Sequence, residues 1–263
     1  MRHRTEGTQS IRRALSVLRI LATARETGLG LTEIARQADL TQPTTHRILG
    51  VLMTEGIVEQ KVRTRRYAVG EQIPLLALSR RGGSPILAAA LPHLNAVAEA
   101  IGDTGFLTLR AGLDTICLAR RFGTYPVQVL ALDVGDRRPL GVSSAGFAML
   151  ASLEPLAARS IVMQNRRRFL SYRVSVEEAL RSVADARMHG YALRDRGLVP
   201  GTRAVSVVIA EAEGEVVGAL TIAAIARRLP NSRVTSIAER LRTHADKIGA
   251  ALRDSPSQRR RQR

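Results

Sequence analysis

The sequence predicts an α+β protein in which a small helical unit with one hairpin precedes a larger unit of antiparallel strands and helices. Two observations lead to this class. Between residues 11 and 54, apolar residues recur at helical spacing in three separate segments, and two short strand-like runs follow. Beyond residue 104 the apolar period changes to that of strands, and tight turns between neighbouring strands favour hairpins.

The first unit is predicted to contain three amphipathic helices. The first spans residues 11–24, and its expected inner face consists of Ile11, Ala14, Leu15, Leu18 and Leu21. The second begins at residue 31 and is expected to bury Leu31, Ile34, Ala35 and Ala38. The third follows a tight turn and carries one inner stripe, formed by Thr45, Ile48, Leu49 and Leu52.

The other face of the third helix carries hydrogen-bonding side chains near its start. Thr41 suits the N-cap, and Pro43 suits the first turn, where a missing N–H group costs nothing. Two short helices joined by a tight turn, with polar residues leading the second, are the layout of a helix-turn-helix that reads a DNA major groove. The predicted DNA contacts on this helix are Thr41, Gln42, Pro43, Thr44, His46 and Arg47. The alternatives are a surface salt bridge for Arg47 and simple surface packing for His46.

Residues 56–70 predict two short strands around a basic tip, which completes a winged helix-turn-helix. The tip is expected to approach the phosphate backbone or the minor groove as a second electrostatic contact. Its predicted DNA-contacting side chains are Arg63, Arg65 and Arg66, next to Lys61. The predicted DNA-binding domain therefore spans residues 8–70.

The composition favours a polyanionic partner. The formal net charge is +17 and the sequence pI is about 11.5. Lys61 and Lys247 are the only lysines among 40 basic residues, so the arginine content also fits a coding bias. Charge alone is equally compatible with a non-specific nucleic-acid-binding or architectural protein. The single cysteine, Cys117, excludes an internal disulfide, and the lack of a long apolar run leads us to expect a soluble, cytoplasmic chain without membrane contact.

A hinge and a second domain are predicted after the hairpin. Residues 71–83 fit a linker helix and hinge that ends in Gly82 and Gly83. The second domain is expected to span residues 84–254. The basic residues 255–263 are expected to be a disordered tail.

The second domain is predicted to alternate between helices and strands. Helices are expected at 84–102, 143–152, 154–163, 175–188 and 234–252. Strands are expected at 105–110, 115–121, 127–134, 204–210 and 215–223, with 127–134 central because it is apolar on both faces. No glycine-rich phosphate fingerprint follows a strand, so the pattern indicates an α+β sensor-type domain and not a doubly wound dinucleotide fold.

Several segments resemble the IclR family of bacterial transcription regulators, and the resemblance covers nearly the whole chain. In the first domain the similar segments are LTEIARQADL, TTHRIL and the Tyr67–Gly70 end of the wing. In the second they are PLGVSSAGFAMLA, HGYALRDRGLVPGTRAVSVVI and GEVVGALTIA. The resemblance implies a GAF-like effector-binding domain, a double-stranded DNA operator, a homodimer or dimer of dimers, and a small organic effector that is often a carboxylate. RNA polymerase is a further partner expected on this basis.

The resemblance also implies which residues bind the effector. Loop-to-helix amides near the start of the predicted helix at 143–152 suit a carboxylate. The residues carried over by position are Leu130, Ser144, Ala145, Gly146, Arg194, Thr202, Ala204, Thr221 and Ala223. Arg194 stands where some relatives have an acidic residue, so it either binds an anion directly or pairs with Asp195.

Enzyme chemistry is not supported by the sequence. The segment GVSSA at 141–145 differs from the nucleophile-elbow pattern at Ala145, and no oxyanion motif precedes it. The five histidines show no paired metal-ligand spacing. We therefore expect no catalysis, no cofactor and no metal, and a sequence-specific regulator whose operator binding responds to a small carboxylate or aromatic acid.

Overall fold

The computed structural model describes residues 6–24, 27–78, 84–196, 198–211 and 214–254. The chain divides into two compact units, residues 1–83 and 84–263. The predicted hinge glycines and the predicted disordered tail lie outside the described residues, and the exact domain limits remain predictions. No helix among the described residues is long and apolar enough to cross a membrane.

The first unit consists of helices followed by a two-stranded hairpin. Its elements are α1 (Glu6–Leu21), α2 (Leu31–Ala38), α3 (Gln42–Thr54), β1 (Val58–Gln60), β2 (Tyr67–Val69) and α4 (Gln72–Leu78). The two strands are antiparallel, with Val58 opposite Val69. The core is small and is formed by Val17, Leu21, Ile34, Leu49, Val58 and Tyr67. The three helices and the basic hairpin of the winged helix-turn-helix are thus present.

The inner face of α1 differs from the prediction. Ile11 is 61% exposed and Leu15 is 44% exposed, whereas Val17 and Leu21 are fully buried. At 100° per residue, Ala14, Val17 and Leu21 form one apolar stripe, and Ile11, Leu15 and Leu18 form a second stripe beside it. Apolar spacing alone could not choose between the two. Packing against α2 and α3 selects the stripe that contains Val17 and leaves Ile11 and Leu15 outside.

The second unit is built on one sheet. Its helices are α5 (Pro85–Ile101), α6 (Ser144–Ala151), α7 (Pro155–Phe169), α8 (Val176–His189) and α9 (Asn231–Arg253). Its strands are β3 (Thr104–Ala111), β4 (Asp114–Arg121), β5 (Arg137–Pro139), β6 (Ala192–Arg194), β7 (Thr202–Ala210) and β8 (Val216–Ile225). Short 3₁₀ turns cover Leu170–Tyr172 and Ala226–Arg228.

The six strands form an antiparallel sheet in the order β5-β4-β3-β8-β7-β6. Side chains alternate between its faces. One face packs on α5 and α9 through residues such as Val205, Val207 and Leu220. The other face is partly covered by α6, α7 and α8, against which Val208 and Ala219 pack. The predicted α+β fold with an antiparallel sensor-type sheet is confirmed.

Helix limits in this unit follow local capping chemistry. The Ser175 hydroxyl accepts a hydrogen bond from the Glu178 N–H at 3.0 Å and starts α8. Gly190, at φ +72°, ends it in the left-handed conformation that glycine adopts without strain. Pro85 stands in the first turn of α5, and Gly102 ends that helix. α7 runs to Phe169, six residues beyond its predicted end.

The segment 127–134 is not a strand, which corrects the prediction of a central strand. Val127, Leu130 and Val134 are 52%, 65% and 60% exposed. The segment is a loop held by the Thr104 hydroxyl, which accepts from the Val129 N–H at 3.0 Å. Val129, Ala131 and Leu132 pack on Phe106, Cys117 and Ala223. The run is apolar because it covers a sheet face, and apolarity alone does not distinguish such a cover from a buried strand.

Candidate DNA-binding surface and ligand cavity

The start of α3 is organised by two threonines. The Thr41 side chain is the N-cap and accepts from the Thr44 N–H at 3.4 Å. Its hydroxyl also donates to the Thr44 Oγ1 at 2.9 Å. Pro43 occupies the first turn, as predicted. The two hydroxyls therefore cap the start of α3.

The two faces of α3 have opposite environments. Thr45 is fully buried, with its hydroxyl donating to the Thr41 carbonyl at 3.0 Å, and Leu49 is fully buried beneath it. Gln42, His46 and Arg47 are exposed. Among the described residues, none of these three side chains forms a hydrogen bond or an ion pair with the protein. A salt bridge for Arg47 is therefore not seen, and its guanidinium is available to a phosphate or a base edge.

The wing residues divide into two groups. Arg63 and Arg65 are exposed at the hairpin tip, where Arg65 has φ +55° and its N–H donates to the Lys61 carbonyl at 2.9 Å. Arg66 instead points back into its own unit. Its Nε donates to the Gly28 carbonyl at 2.9 Å, and its Nη2 lies 3.2 Å from the Glu33 carboxylate. Arg66 thus braces the wing, and the DNA contact predicted for it stays a prediction.

A small cavity lies in the second unit, between the sheet, the start of α6 and the loop 129–132. Its volume is about 40 Å³. Its walls are Phe106, Thr108, Val129, Ala131, Leu132, Ser143, Ser144, Ala145, Arg194, Leu198, Thr202, Ala204, Thr221 and Ala223. These walls bring together the predicted effector residues except Leu130 and Gly146.

Two predicted effector residues are placed elsewhere. Leu130 is 65% exposed, because its segment is a loop in which Val129, and not Leu130, turns inward. Gly146 is buried, but its N–H donates to the Ser143 hydroxyl at 3.2 Å. That amide is therefore used by the helix cap and is not free for a ligand.

Three buried hydroxyl groups form a chain beside the cavity. The Ser206 hydroxyl donates to the Ser144 Oγ at 2.8 Å and lies 2.6 Å from the Thr221 Oγ1. Since a hydroxyl has one proton, Thr221 must donate to Ser206 in this arrangement. The Ser144 proton is then left to point to another acceptor. Sequence reasoning missed Ser206, which is paired with Thr221 across β7 and β8.

Arg194 is the main charged group of the cavity. It is 7% exposed, and its Nε and Nη1 are buried without a hydrogen-bond partner among the described residues. Asp195 is paired with Arg203, so the predicted alternative in which Arg194 pairs with Asp195 is wrong. Burial lowers the pKa of the Arg194 guanidinium, while the negative charge of Glu178 acts in the opposite direction. An arginine remains charged under these conditions, and it lacks a counter-ion in direct contact.

Thr108 is a second unpartnered group in the cavity wall, and sequence reasoning missed it. It is 2% exposed, and its Oγ1 has no hydrogen-bond partner among the described residues. In sequence it is an ordinary strand threonine. Only its register in the central strand β3, opposite Ala219 of β8, shows that it faces the cavity side of the sheet.

Arg194 also borders a larger, open groove on the outside of the unit. The groove has a volume of about 680 Å³. Its charged side chains have both signs: Glu178, Asp185 and Asp195 lie with Arg181, Arg194 and Arg196. Because these charges balance, the groove has no preference for one sign, whereas Arg194 is the one charged residue among the described residues that line the smaller cavity.

Two family models match the chain and together cover most of it. The IclR helix-turn-helix domain matches residues 10–61. The bacterial transcriptional regulator IclR C-terminal domain matches residues 81–250. The first match lies within the first compact unit, and the second covers most of the second unit.

Known proteins show the same relationship. The chain is 28% identical over 237 residues to the HTH-type transcriptional regulator BhcR of Paracoccus denitrificans, covering 89% of this chain and 83% of that protein. An IclR-type transcriptional regulator of Silicibacter sp. TM1040 has a similar fold, with a TM-score of 0.79, 24% identity and coverage of 94% and 97%. An IclR homolog of Microbacterium hydrocarbonoxydans, solved in complex with 4-hydroxybenzoate, gives a TM-score of 0.72 at 26% identity, with coverage of 94% and 100%.

The relatives are named as regulators and not as enzymes, in line with the absence of an enzyme motif in the sequence. The match of both family models and the fold lead to one conclusion: the chain belongs to the IclR family of bacterial transcriptional regulators.

Proposed function

We propose that this regulator binds a specific operator through the exposed face of α3 and the wing, and that a small organic acid in the cavity modulates this binding. The proposed DNA binding rests on one observation: α3 has one face that is buried in the core and an opposite face that is exposed. Thr45 and Leu49 hold the helix on the core, while Gln42, His46 and Arg47 project outward without protein partners. The N-terminal residues of a recognition helix are those that reach base edges in this type of fold.

We propose that the protein acts as a homodimer. Half-sites of such operators lie about one helical turn, roughly 34–36 Å, apart, and two DNA-binding units engage them together. Support comes from an apolar surface on α1 of the first unit, where Ile11 and Leu15 are 61% and 44% exposed. Exposed apolar side chains grouped on one surface are typical of an interface between proteins.

The effector is proposed to be an acid, because Arg194 is buried without a counter-ion. A carboxylate matches the fork of N–H groups on a guanidinium. The relative solved with 4-hydroxybenzoate holds a ligand that carries a carboxylate. The cavity of about 40 Å³ has room for about three waters, since one water needs roughly 10–15 Å³. A short aliphatic acid therefore fits with little movement, whereas an aromatic acid requires the loop 129–132 to open.

Regulation follows if the effector changes the arrangement of the two DNA-binding units in the dimer. A ligand can shift this equilibrium only through different affinities for the two arrangements. By linkage, operator DNA must then change the affinity for the acid by the same factor.

Binding to the chain's own upstream region tests the DNA part of the proposal. In a fluorescence anisotropy titration, Arg47→Ala should weaken operator binding by roughly five- to 150-fold, which corresponds to about 1–3 kcal/mol for a good base contact. Arg19→Ala removes the same charge from an exposed position on α1 and serves as the matched control. An unchanged affinity in Arg47→Ala, with folding intact, would contradict the proposed orientation of α3.

The second candidate is a non-specific nucleic-acid-binding protein, which the net charge of +17 favours. Competition with unrelated DNA separates the two functions. A specific regulator should prefer its operator by about a thousandfold or more, whereas a non-specific protein should show no preference.

A further inference from the structure

We infer that the outer side of α7, the α7 face, is a docking surface for an acidic helix of another protein. The α7 face consists of an apolar line, formed by Leu156, Met163 and Leu170, with Arg159 and Arg167 beside it. It belongs to the second unit, and none of its residues lines the ligand cavity. The inference therefore adds a protein partner to the proposed function and does not depend on the effector.

The apolar line runs along the exposed side of α7. Leu156, Met163 and Leu170 are 83%, 39% and 80% exposed. Leu170 directly follows the last residue of α7 and keeps helical dihedral angles, with φ −54° and ψ −41°. Each of the three lies seven residues from the next, and seven residues at 100° each return to within about 20° of the same direction. The line is therefore nearly straight, and at 1.5 Å per residue it is about 21 Å long.

Packing inside the unit does not account for this line. The buried residues of α7 lie on another side of the helix, roughly 145° away. They are Ala158, Ile161, Val162, Asn165 and Phe169. A surface helix with one apolar side in the core usually presents polar residues on the opposite side. A second apolar row that faces outward is instead typical of an interface with another molecule.

The charges beside the line have one sign. Residues 155–173 contain five arginines and no acidic residue. Arg159 and Arg167 lie about 40° to either side of the line. Both side chains are exposed, and neither has a hydrogen bond or an ion pair among the described residues. Arg166 lies on the same side as Arg159 and donates to the Met163 carbonyl of its own helix at 2.8 Å. The α7 face therefore attracts acidic groups along both sides of the apolar line.

The combination of apolar and basic side chains selects the class of partner. DNA phosphates would pair with the arginines but would leave the three apolar side chains uncovered. A second copy of the α7 face would set arginine against arginine, and like charges at an interface suppress such pairing. A helix with an apolar seam and acidic residues beside it covers the line and pairs with the arginines at the same time. Charge complementarity therefore favours such a helix from another protein.

The size of the α7 face fits a transient contact. Weak and transient complexes bury less than roughly 1,200 Å² in total, and stable ones bury more. A pair of helices in contact over about 21 Å belongs to the smaller class. The partner is therefore expected to associate and dissociate readily.

Fluorescence anisotropy with three synthetic peptides and the full chain tests the inference. The first peptide has a helical seam of leucines, about 21 Å long, with glutamates on both sides. The second carries lysine in place of each glutamate, and the third carries serine in place of each leucine. The three are titrated with the wild-type protein, with Arg159→Glu/Arg167→Glu and with Leu156→Ser.

Two matched controls show whether an effect is specific to the α7 face. Arg227→Glu/Arg240→Glu reverses the same number of exposed charges elsewhere in the second unit. Met188→Ser removes an apolar side chain that is 74% exposed on α8. Every substituted side chain is exposed, so all variants should fold.

We expect the wild-type protein and both controls to bind the glutamate peptide at least about tenfold more tightly than the lysine or the serine peptide. In Arg159→Glu/Arg167→Glu, the preference for glutamate over lysine should fall by about tenfold, because two attractive pairs become repulsive. Leu156→Ser should weaken binding of the glutamate peptide by about fivefold, since less apolar area is covered.

Three results would overturn the inference. One is equal affinity of the wild-type protein for the glutamate peptide and either of the other two. Another is that the α7 variants change binding no more than their controls, because the net charge would then explain the attraction. The last is a different occupant: if Arg159→Glu/Arg167→Glu weakens binding to an unrelated DNA duplex more than its control does, the α7 face binds DNA. If Leu156→Ser changes the oligomeric state in sedimentation, the α7 face binds a second copy of the chain.

Discussion

Arg194→Met should stabilise the ligand-free protein. In the wild-type chain the Arg194 guanidinium is 7% exposed, and its Nε and Nη1 have no partner among the described residues. An unsatisfied buried polar group costs about 1–3 kcal/mol, and more when it is charged. Methionine has a similar length and no polar atom that requires a hydrogen bond. Even a buried ion pair is often replaced by apolar side chains of similar volume at no cost, or with a gain of about 1–4 kcal/mol, and an unpaired buried charge has less attraction to lose.

We therefore expect the free energy of unfolding of the second unit to rise by about 1–3 kcal/mol. For a unit of this size, each kcal/mol shifts Tm by roughly 2–4 °C, so Tm should rise by about 2–12 °C. Urea denaturation and a thermal scan of the wild-type protein and Arg194→Met, without added acids, measure this. Arg203→Met is a suitable contrast. Arg203 is paired with Asp195, so this substitution should lower the free energy of unfolding.

A decrease in the stability of Arg194→Met would refute the reasoning, since it would mean that the guanidinium already has adequate partners in the free protein. A gain in stability in Arg194→Met would also agree with a ligand-binding role for Arg194. A residue that weakens the fold while it is unoccupied is typical of a binding site, where stability is lost in favour of ligand recognition.

Three further predictions concern other parts of the chain. The Nδ1 atoms of His93 and His244 lie 3.1 Å apart, and burial together with the charge of Lys247 lowers both histidine pKa values below 6.5. The pair should therefore contribute its full stability above pH 6.5 and lose it as the pH drops through the lowered pKa values. Urea midpoints at pH 7.5 and 5.5 measure this loss, and a loss of the same size in His244→Gln would contradict it. Burial raises the pKa of the Cys117 thiol to about 11, so iodoacetamide at pH 8 should label the denatured protein and leave the native protein unmodified over the same time. Thr41→Ala removes the N-cap of α3 and should cost about 1 kcal/mol of stability in a denaturation curve, whereas Thr23→Ala, outside the helix starts, should change it little.

The sequence was most informative where structure is decided locally. The helix from Ser175 to Gly190 was predicted almost to the residue, because a capping serine and a left-handed glycine fix its ends. The buried faces of α2 and α3 were also predicted, because the apolar residues that were assigned to the core form one stripe on each helix. β5 and β6 were not predicted, because strands of three residues are too short to show alternation.

The sequence was less informative where long-range packing decides. Ile11 and Leu15 look like core residues until α2 and α3 select the other stripe of α1. The loop 127–134 looks like a strand because it is apolar. The resemblance carried Leu130 over to the cavity wall on the assumption that it lies on that strand, whereas it is 65% exposed. The missing partners of Arg194 and Thr108 depend on strands that are far apart in sequence, so no local pattern reveals them.

The central claim is that the exposed face at the start of α3 contacts operator DNA and that an acid in the second unit alters this contact. A photo-crosslinking amino acid placed at His46, which is exposed next to Arg47, tests both parts at once. We expect crosslinks from this position to the operator, with a yield that changes when an acid that binds the cavity is added. Crosslinks from this position to another protein chain, with none to DNA, would contradict the account.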